Sequence, residues 1–337
     1  MATQEKRRFL TIPLWQAVKR TYSVIFHDRW RQLTRYRYIR RGLWICLGLI
    51  VTYILFVSGT AIAIYHYKKD NKFTHAIERI FPYPAAVVNG TVIPLSRYRI
   101  EVSARTNFSA TNHLTTTPQE TDSFAINQLE ERTLYQQALT AHHIALDETD
   151  FQNKLQDIYI QVGGEQKFSA FLSQQYGSGV TLDLFQTWLR EAAVESAVQD
   201  QLLTRVTLKH ILVSVPSDAT ADQVEAARQK AITIKNTITD PSLFGSIARE
   251  NSDDIATRDN GGEFGTTNRG DDTPILSADF ENAIFSLPVG KISDPIRTPY
   301  GWDIVDVESR VGTIDMSKKA YTASLFAAGK VHTFIGK

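Results

Sequence analysis

NGGEFG at residues 260–265, preceded by DPSLFGSIARENSDD at 240–254, decides how the C-terminal half of this chain is read. Asp240 before Pro241 is a helix start, with an acid at the N-cap and a proline where the missing N–H is harmless. Leu243, Phe244, Ile247 and Ala248 follow on one helical side. Residues 251–262 read as a polar loop closed by a glycine pair, and 264–267 as a short strand. Upstream, 207–215 carries Leu208, His210 and Leu212 in a pattern suited to a largely buried strand, and Thr220 with Gln223 forms a capping box for a helix over 221–239. Downstream, Ser277 can cap a helix holding Phe280, Ile284 and Phe285, which Pro288 and Gly290 end. Two last strands are expected near 295–298 and 302–307. The order βααβαββ predicts an α+β domain with an antiparallel sheet.

These runs, LKHILV (208–213), DPSLFGSIARENSDD, NGGEFG and FENAIFSLPVGKISDPIRTPYGW (280–302), resemble the successive blocks of a parvulin-type peptidyl-prolyl isomerase domain, in order over some 105 residues. The resemblance implies roles position by position. His210 matches the buried histidine at the hydrogen-bonded centre of the site, Asp254 the position held by Cys or Asp, and Thr298 the threonine of the histidine network. Leu276 and Phe280, with Phe264 beside them, match the apolar floor that accepts a proline ring. One departure stands out. Where the family usually has a second histidine this chain has Asp303, so the paired-histidine network cannot take its usual shape, and Asp303 is expected to accept a hydrogen bond from His210 or Thr298.

The reaction that this resemblance implies needs no nucleophile, metal or cofactor. Rotation about an X–Pro bond meets a barrier of about 18–20 kcal/mol and takes tens of seconds unaided. Binding the twisted amide better than either planar isomer is enough, with the ring in an apolar cup and polar groups where resonance is lost.

Working toward the N-terminus, residues 43–65 run 23 residues without a charge, long enough for a helix to cross a bilayer core of about 30 Å. Trp44, Tyr65 and Tyr67 suit its two interfaces. Residues 1–42 hold 11 Lys or Arg against Glu5 and Asp28, which leaves the rest of the chain about eight units negative although the total is +1. The basic character therefore belongs to a leader and excludes a basic, nucleic-acid-binding body. The positive-inside rule places that leader in the cytoplasm and residue 66 onward outside. Ala61-Ile62-Ala63 has the shape of a signal cleavage site, but the leader and apolar run both exceed signal-peptide lengths, so retention as an anchor is expected. Within the leader, 13–38 reads either as an amphipathic helix on the inner leaflet or as a solvated basic tail. Cys46 is the only cysteine, which excludes an intramolecular disulfide and a Cys-rich zinc site.

Between the two lies a helical region. Ala85 to Val88, Asn89-Gly90 and Thr91 to Ile93 predict a tight hairpin. A helix should follow Pro94 through Ser103, residues 105–122 read as an exposed loop, and helices return over 123–145, 150–162, 166–175 and 181–203. Leu182, Phe185 and Leu189 stripe the last one. The VVNG turn, short strand and helix set resemble the N-terminal region of SurA-like and PrsA-like foldases.

The expected organisation is a cytoplasmic leader (1–42), transmembrane helix (43–65), linker (66–84), helical chaperone-like region (85–206), parvulin domain (207–312) and C-terminal tail (313–337), the tail being either a short helix returning to the helical region or a loose end. The expected function is isomerase and chaperone for unfolded or newly translocated polypeptides containing X–Pro bonds. The membrane lipid contacts 43–65, and no cofactor or nucleic acid is called for. A catalytically silent holdase is the alternative.

Overall fold

The computed structural model describes residues 14–67, 71–270 and 277–335, and the chain divides into two compact units, Met1–Ile77 and Glu78–Lys337. In the first, α1 (Leu14–Ala61) is one unbroken helix that loosens into a π turn over Ile62–His66. Its part from Tyr36 to His66 is, by length and composition, apolar enough to cross a membrane. The hydroxyls of Thr52 and Thr60 donate to the carbonyls of Gly48 and Phe56, each at 2.9 Å, so these groups in an apolar stretch keep acceptors within the helix. The backbone of the leader is helical from Leu14 and continuous with the apolar run. Helix α2 (Lys72–Ile80) follows.

The second unit opens with β1 (Pro84–Val88) and β2 (Thr91–Pro94), paired antiparallel about Asn89 and Gly90. Both turn residues have positive φ, 49° and 85°, the requirement that Asn-Gly meets. Helices α3 (Leu95–Thr111), α4 (Pro118–Ala141), α5 (Glu148–Val162), α6 (Glu165–Tyr176) and α7 (Leu182–Leu202) come next. The expected loop at 105–122 is not there: α3 runs through it and only 112–117 is non-helical. Its polar residues are accommodated locally. Thr106 returns its hydroxyl to the Val102 carbonyl at 2.8 Å, and Thr117 with Glu120 forms a capping box ahead of Pro118, a start signal that the Thr and Asn content masks.

The antiparallel sheet runs β4-β3-β6-β5, from β3 (Arg205–Ser214), β4 (Glu263–Asn268), β5 (Ile296–Thr298) and β6 (Gly301–Val311). Between β3 and β4 lie α8 (Ala221–Thr237), a 3-10 turn at Pro241–Leu243, α9 (Phe244–Asn251) and α10 (Ile255–Arg258); α11 (Ala278–Ser286) precedes β5. Apart from α10, which occupies the expected 251–262 loop, the order follows the sequence reading. Strand alternation divides the core. Val206, Leu208, Val305 and Val307 meet Phe280 and Ile284 of α11 on one face, while Ile211, Val213 and Ile304 meet α8 and α9 on the other.

The stretch after β6 resolves the open reading of 313–337. Helix α12 (Lys318–Ala328) places buried Tyr321 against Tyr135 and Val198 of the helical region, and β7 (Val331–Thr333) pairs antiparallel with β1. The two chain passages between sheet and helices lie side by side, with Thr204 N–H donating to Ile314 O at 2.9 Å and Ile314 N–H to Leu202 O at 2.8 Å. The four-stranded sheet domain is thus inserted into a helical module built from both flanks.

Candidate active site

The central strands set the site by register. His210 of β3 lies opposite Val305 of β6, so Asp303, two residues along, projects from the same face. Thr298 of β5 lies opposite Gly301 and stands diagonal to Asp303 in the same way. All three are buried: Asp303 is 0%, His210 1% and Thr298 3% exposed. His210 Nδ1 lies 2.8 Å from Asp303 Oδ1, and the Thr298 hydroxyl donates to Asp303 Oδ2 at 2.8 Å.

The other ring edge of His210 faces α10. Nε2 is 2.9 Å from Asp254 Oδ2 and 3.0 Å from Thr257 Oγ1, while the Thr257 hydroxyl donates to the same Asp254 oxygen at 2.6 Å. Asp254 also caps α10, its Oδ1 accepting the Ala256 N–H at 3.1 Å. Five side chains therefore run in one line from sheet interior to surface: Thr298, Asp303, His210, Asp254, Thr257. Thr257 is the member the sequence reading missed, because 251–262 looked like plain loop; an acid three residues ahead of a threonine was the available signal.

Both ring nitrogens of His210 face carboxylates, so the ring uses both edges as donors only when doubly protonated. Burial alone pushes its pKa down, but the hydrogen bonds and charges of Asp303 and then Asp254 outweigh it and raise the pKa above the ordinary histidine value. Burial likewise works to raise Asp254, yet the bonds from Thr257, Ala256 and His210 hold that carboxyl below its usual range. The backbone fixes the ring from the second glycine of NGGEFG. His210 N–H donates to Gly262 O at 2.8 Å, and Gly262 has φ +84° with its Cα so close to the His210 carbonyl that a Cβ would collide with it.

The expected apolar floor is partly formed. Phe264 stands edge-on to the His210 ring at 5.4 Å and tilted against Phe280 at 6.4 Å. Phe264 is half-buried, whereas Phe280 is fully buried among Val206, Leu208 and Ile284. Leu276, the third floor residue, lies outside the described residues. The arrangement offers a carboxylate at the rim backed by an imidazole, beside an aromatic wall.

Residues 210–309, which hold this line on the antiparallel sheet, match the family model for the PPIC-type PPIase domain, Rotamase. Relatives sharpen this. The chain is similar to the foldase protein PrsA of Staphylococcus aureus, 30% identical over 176 residues that cover 48% of this chain and 53% of that protein. The chain thus spans about half the length of the curated relatives it matches. Among solved structures, a PrsA peptidylprolyl isomerase from Bacillus anthracis shares 21% identity, covering 58% of this chain and 86% of that one at a TM-score of 0.27. A SurA-like chaperone from Campylobacter jejuni shares 18%, covering 72% and 88%, at a TM-score of 0.28.

Proposed function

We propose that this protein is a membrane-anchored foldase whose parvulin domain accelerates cis/trans isomerisation of X–Pro bonds in unfolded or newly translocated polypeptides. The observation that carries this is the His210 imidazole held between Asp303 and Asp254 at the edge of the Phe264 wall. The prolyl ring packs on Phe264, with Phe280 supporting it from behind. Resonance in a planar amide puts negative charge on its oxygen, and twisting removes it. The ionised Asp254 at the rim repels the planar forms more than the twisted one, which is the differential binding that lowers a rotational barrier. Asp303 stands where the family has its second histidine and raises the His210 pKa, while Thr257, Ala256 and His210 hold Asp254 below its usual range.

The helical region holds the client near this site. Residues 43–65, within the apolar helix, span the membrane, with the basic leader cytoplasmic and residue 66 onward outside.

Exchange NMR on an Ala–Pro peptide with the full chain in nanodiscs tests the enzymatic reading. The expected result is interconversion well faster than the uncatalysed tens of seconds. A rate no higher than that of the His210→Ala, Phe264→Ala double variant sinks it; Phe280 is left intact because it belongs to the core. The complete burial of Phe280 favours a second reading, a holdase that grips peptides without isomerising them, and the same null rate together with retained peptide binding supports it.

A further inference from the structure

A concave site lies in the helical region, built from residues far along the chain from His210. A cavity of about 280 Å³ opens between α3, α4, the end of α6 and α7, walled by Phe108, Phe124, Tyr176 and Trp188. That is below the roughly 300–1,000 Å³ of small-molecule sites, a size for one side chain. The rings are already ordered: Phe108 stacks on Tyr176 at 5.3 Å, and Tyr176 meets Trp188 edge-on at 5.8 Å. Phe124 at the mouth is 46% exposed.

The charges around this cavity are unequal in what they have left to offer. Glu101, on the floor, is drawn inward: its Oε1 accepts from Trp188 Nε1 at 2.6 Å, Arg97 Nε at 3.0 Å and Arg132 Nη1 at 3.2 Å. Arg132 is committed to Glu101 and Glu191. Arg105, at the rim, lies with its guanidinium 4.5 Å over the Phe124 ring and has no carboxylate within ion-pair distance among the described residues. An acidic ligand therefore finds at the rim a cation fixed against an aromatic ring.

We infer that this cavity is a side-chain receptor for extended polypeptide, taking one aromatic residue whose neighbour carries a carboxylate that Arg105 reads. The occupant's being a client polypeptide rests on the foldase reading; the preference itself rests on the cavity and its charges. Aromatic walls give edge-to-face contacts to an entering ring, and the guanidinium fork meets the adjacent carboxylate. The receptor contains no part of the His210 line, so one client can occupy both.

The test uses the full chain in neutral-lipid nanodiscs and fluorescein-labelled, proline-free peptides carrying a Phe–Asp, Phe–Lys or Ala–Asp pair, read by anisotropy. Phe–Asp is expected to bind about fivefold tighter than Phe–Lys, and Phe124→Ala to weaken it about tenfold. Arg105→Glu is expected to invert the preference toward Phe–Lys while leaving the proline-isomerisation rate unchanged. Unaltered preference in Arg105→Glu, or unaltered affinity in Phe124→Ala, overturns the receptor. So does light scattering that shows the same residues controlling dimerisation of this chain instead of peptide binding. A null result in the proline assay with the Phe–Asp preference intact removes the isomerase and leaves the receptor standing.

Discussion

Two clusters of charge sit below the surface of the second unit, and they are built on opposite principles. In the helical region, Arg97 and Arg132 interleave with Glu101 and Glu191 at 3.0–3.2 Å, two cations against two anions. In the sheet domain, two aspartates share one histidine. Arginine cannot give up its proton, so the first cluster is intolerant of losing a carboxylate. The imidazole can, so the second adapts, and its charge state is free to follow pH and whatever binds beside it. The first cluster fixes helices α3, α4 and α7 to one another; the second is poised.

The contrast is broken most severely at Glu101. Glu101→Ala leaves two guanidinium groups to share Glu191 alone and strands the Trp188 N–H, and urea unfolding is expected to show a loss of about 3 kcal/mol. A loss under about 1 kcal/mol would mean that the cluster is solvated and the contrast false. Asp303→Ala should cost less, about 2 kcal/mol, because His210 can shed a proton while the Thr298 hydroxyl loses its acceptor. The same variant should cut isomerisation about tenfold if Asp303 holds His210 charged. Finding the Asp303 cost equal to or above the Glu101 cost would reverse the argument.

The pH dependence sharpens the difference further. His210 has its folded pKa raised above 6.5, so its contribution is complete below pH 6.5 and is lost as pH climbs through the folded value. In Asp303→Asn that decline above pH 6.5 should flatten, measurable as the slope of unfolding free energy against pH. Asp254 acts at the other end: its folded pKa is depressed below 3.8, and its contribution is present above that and lost as pH falls. In the helical cluster desolvation, opposed by Arg97 and Arg132, leaves Glu191 raised above 4.5. The smallest expected effect is a control outside both clusters. Lys154 and Asp150 pair at 2.7 Å with side chains 66% and 56% exposed, and Lys154→Ala should move stability by less than about 0.5 kcal/mol.

Much of the sheet domain was legible because its signals are local: the Thr220–Gln223 capping box, Asp240-Pro241 and the Ser277 cap all sit where the helices begin. The grouping of His210, Asp303 and Thr298 was expected from the parvulin resemblance, and the strand register is what puts them on one face. What stayed hidden depends on three-dimensional context. Thr257 enters the site only because α10, four residues long, is held in place by the Asp254 cap, and no periodicity announces so short a helix. Residues 105–111 look like loop by composition, yet packing of α3 against its neighbours overrides weak propensity. Arg105 and Trp188, 83 positions apart in sequence, share a cavity that no single stretch of chain describes.

The pairing of β7 with β1 sets an order of events during synthesis. Lys330 N–H donates to Asn89 Oδ1 across 241 residues, so the three-stranded sheet of the helical module cannot close until its last strand has been made. At about 5–20 residues per second that is a wait on the order of ten seconds or more. The inserted domain, whose strands lie within 205–311, is complete in sequence before its host is. A nascent chain of this protein would therefore display a finished four-stranded domain while its flanking helices still lack their closing strand, and truncation ahead of Val331 should leave the inserted domain folded and the helical module open.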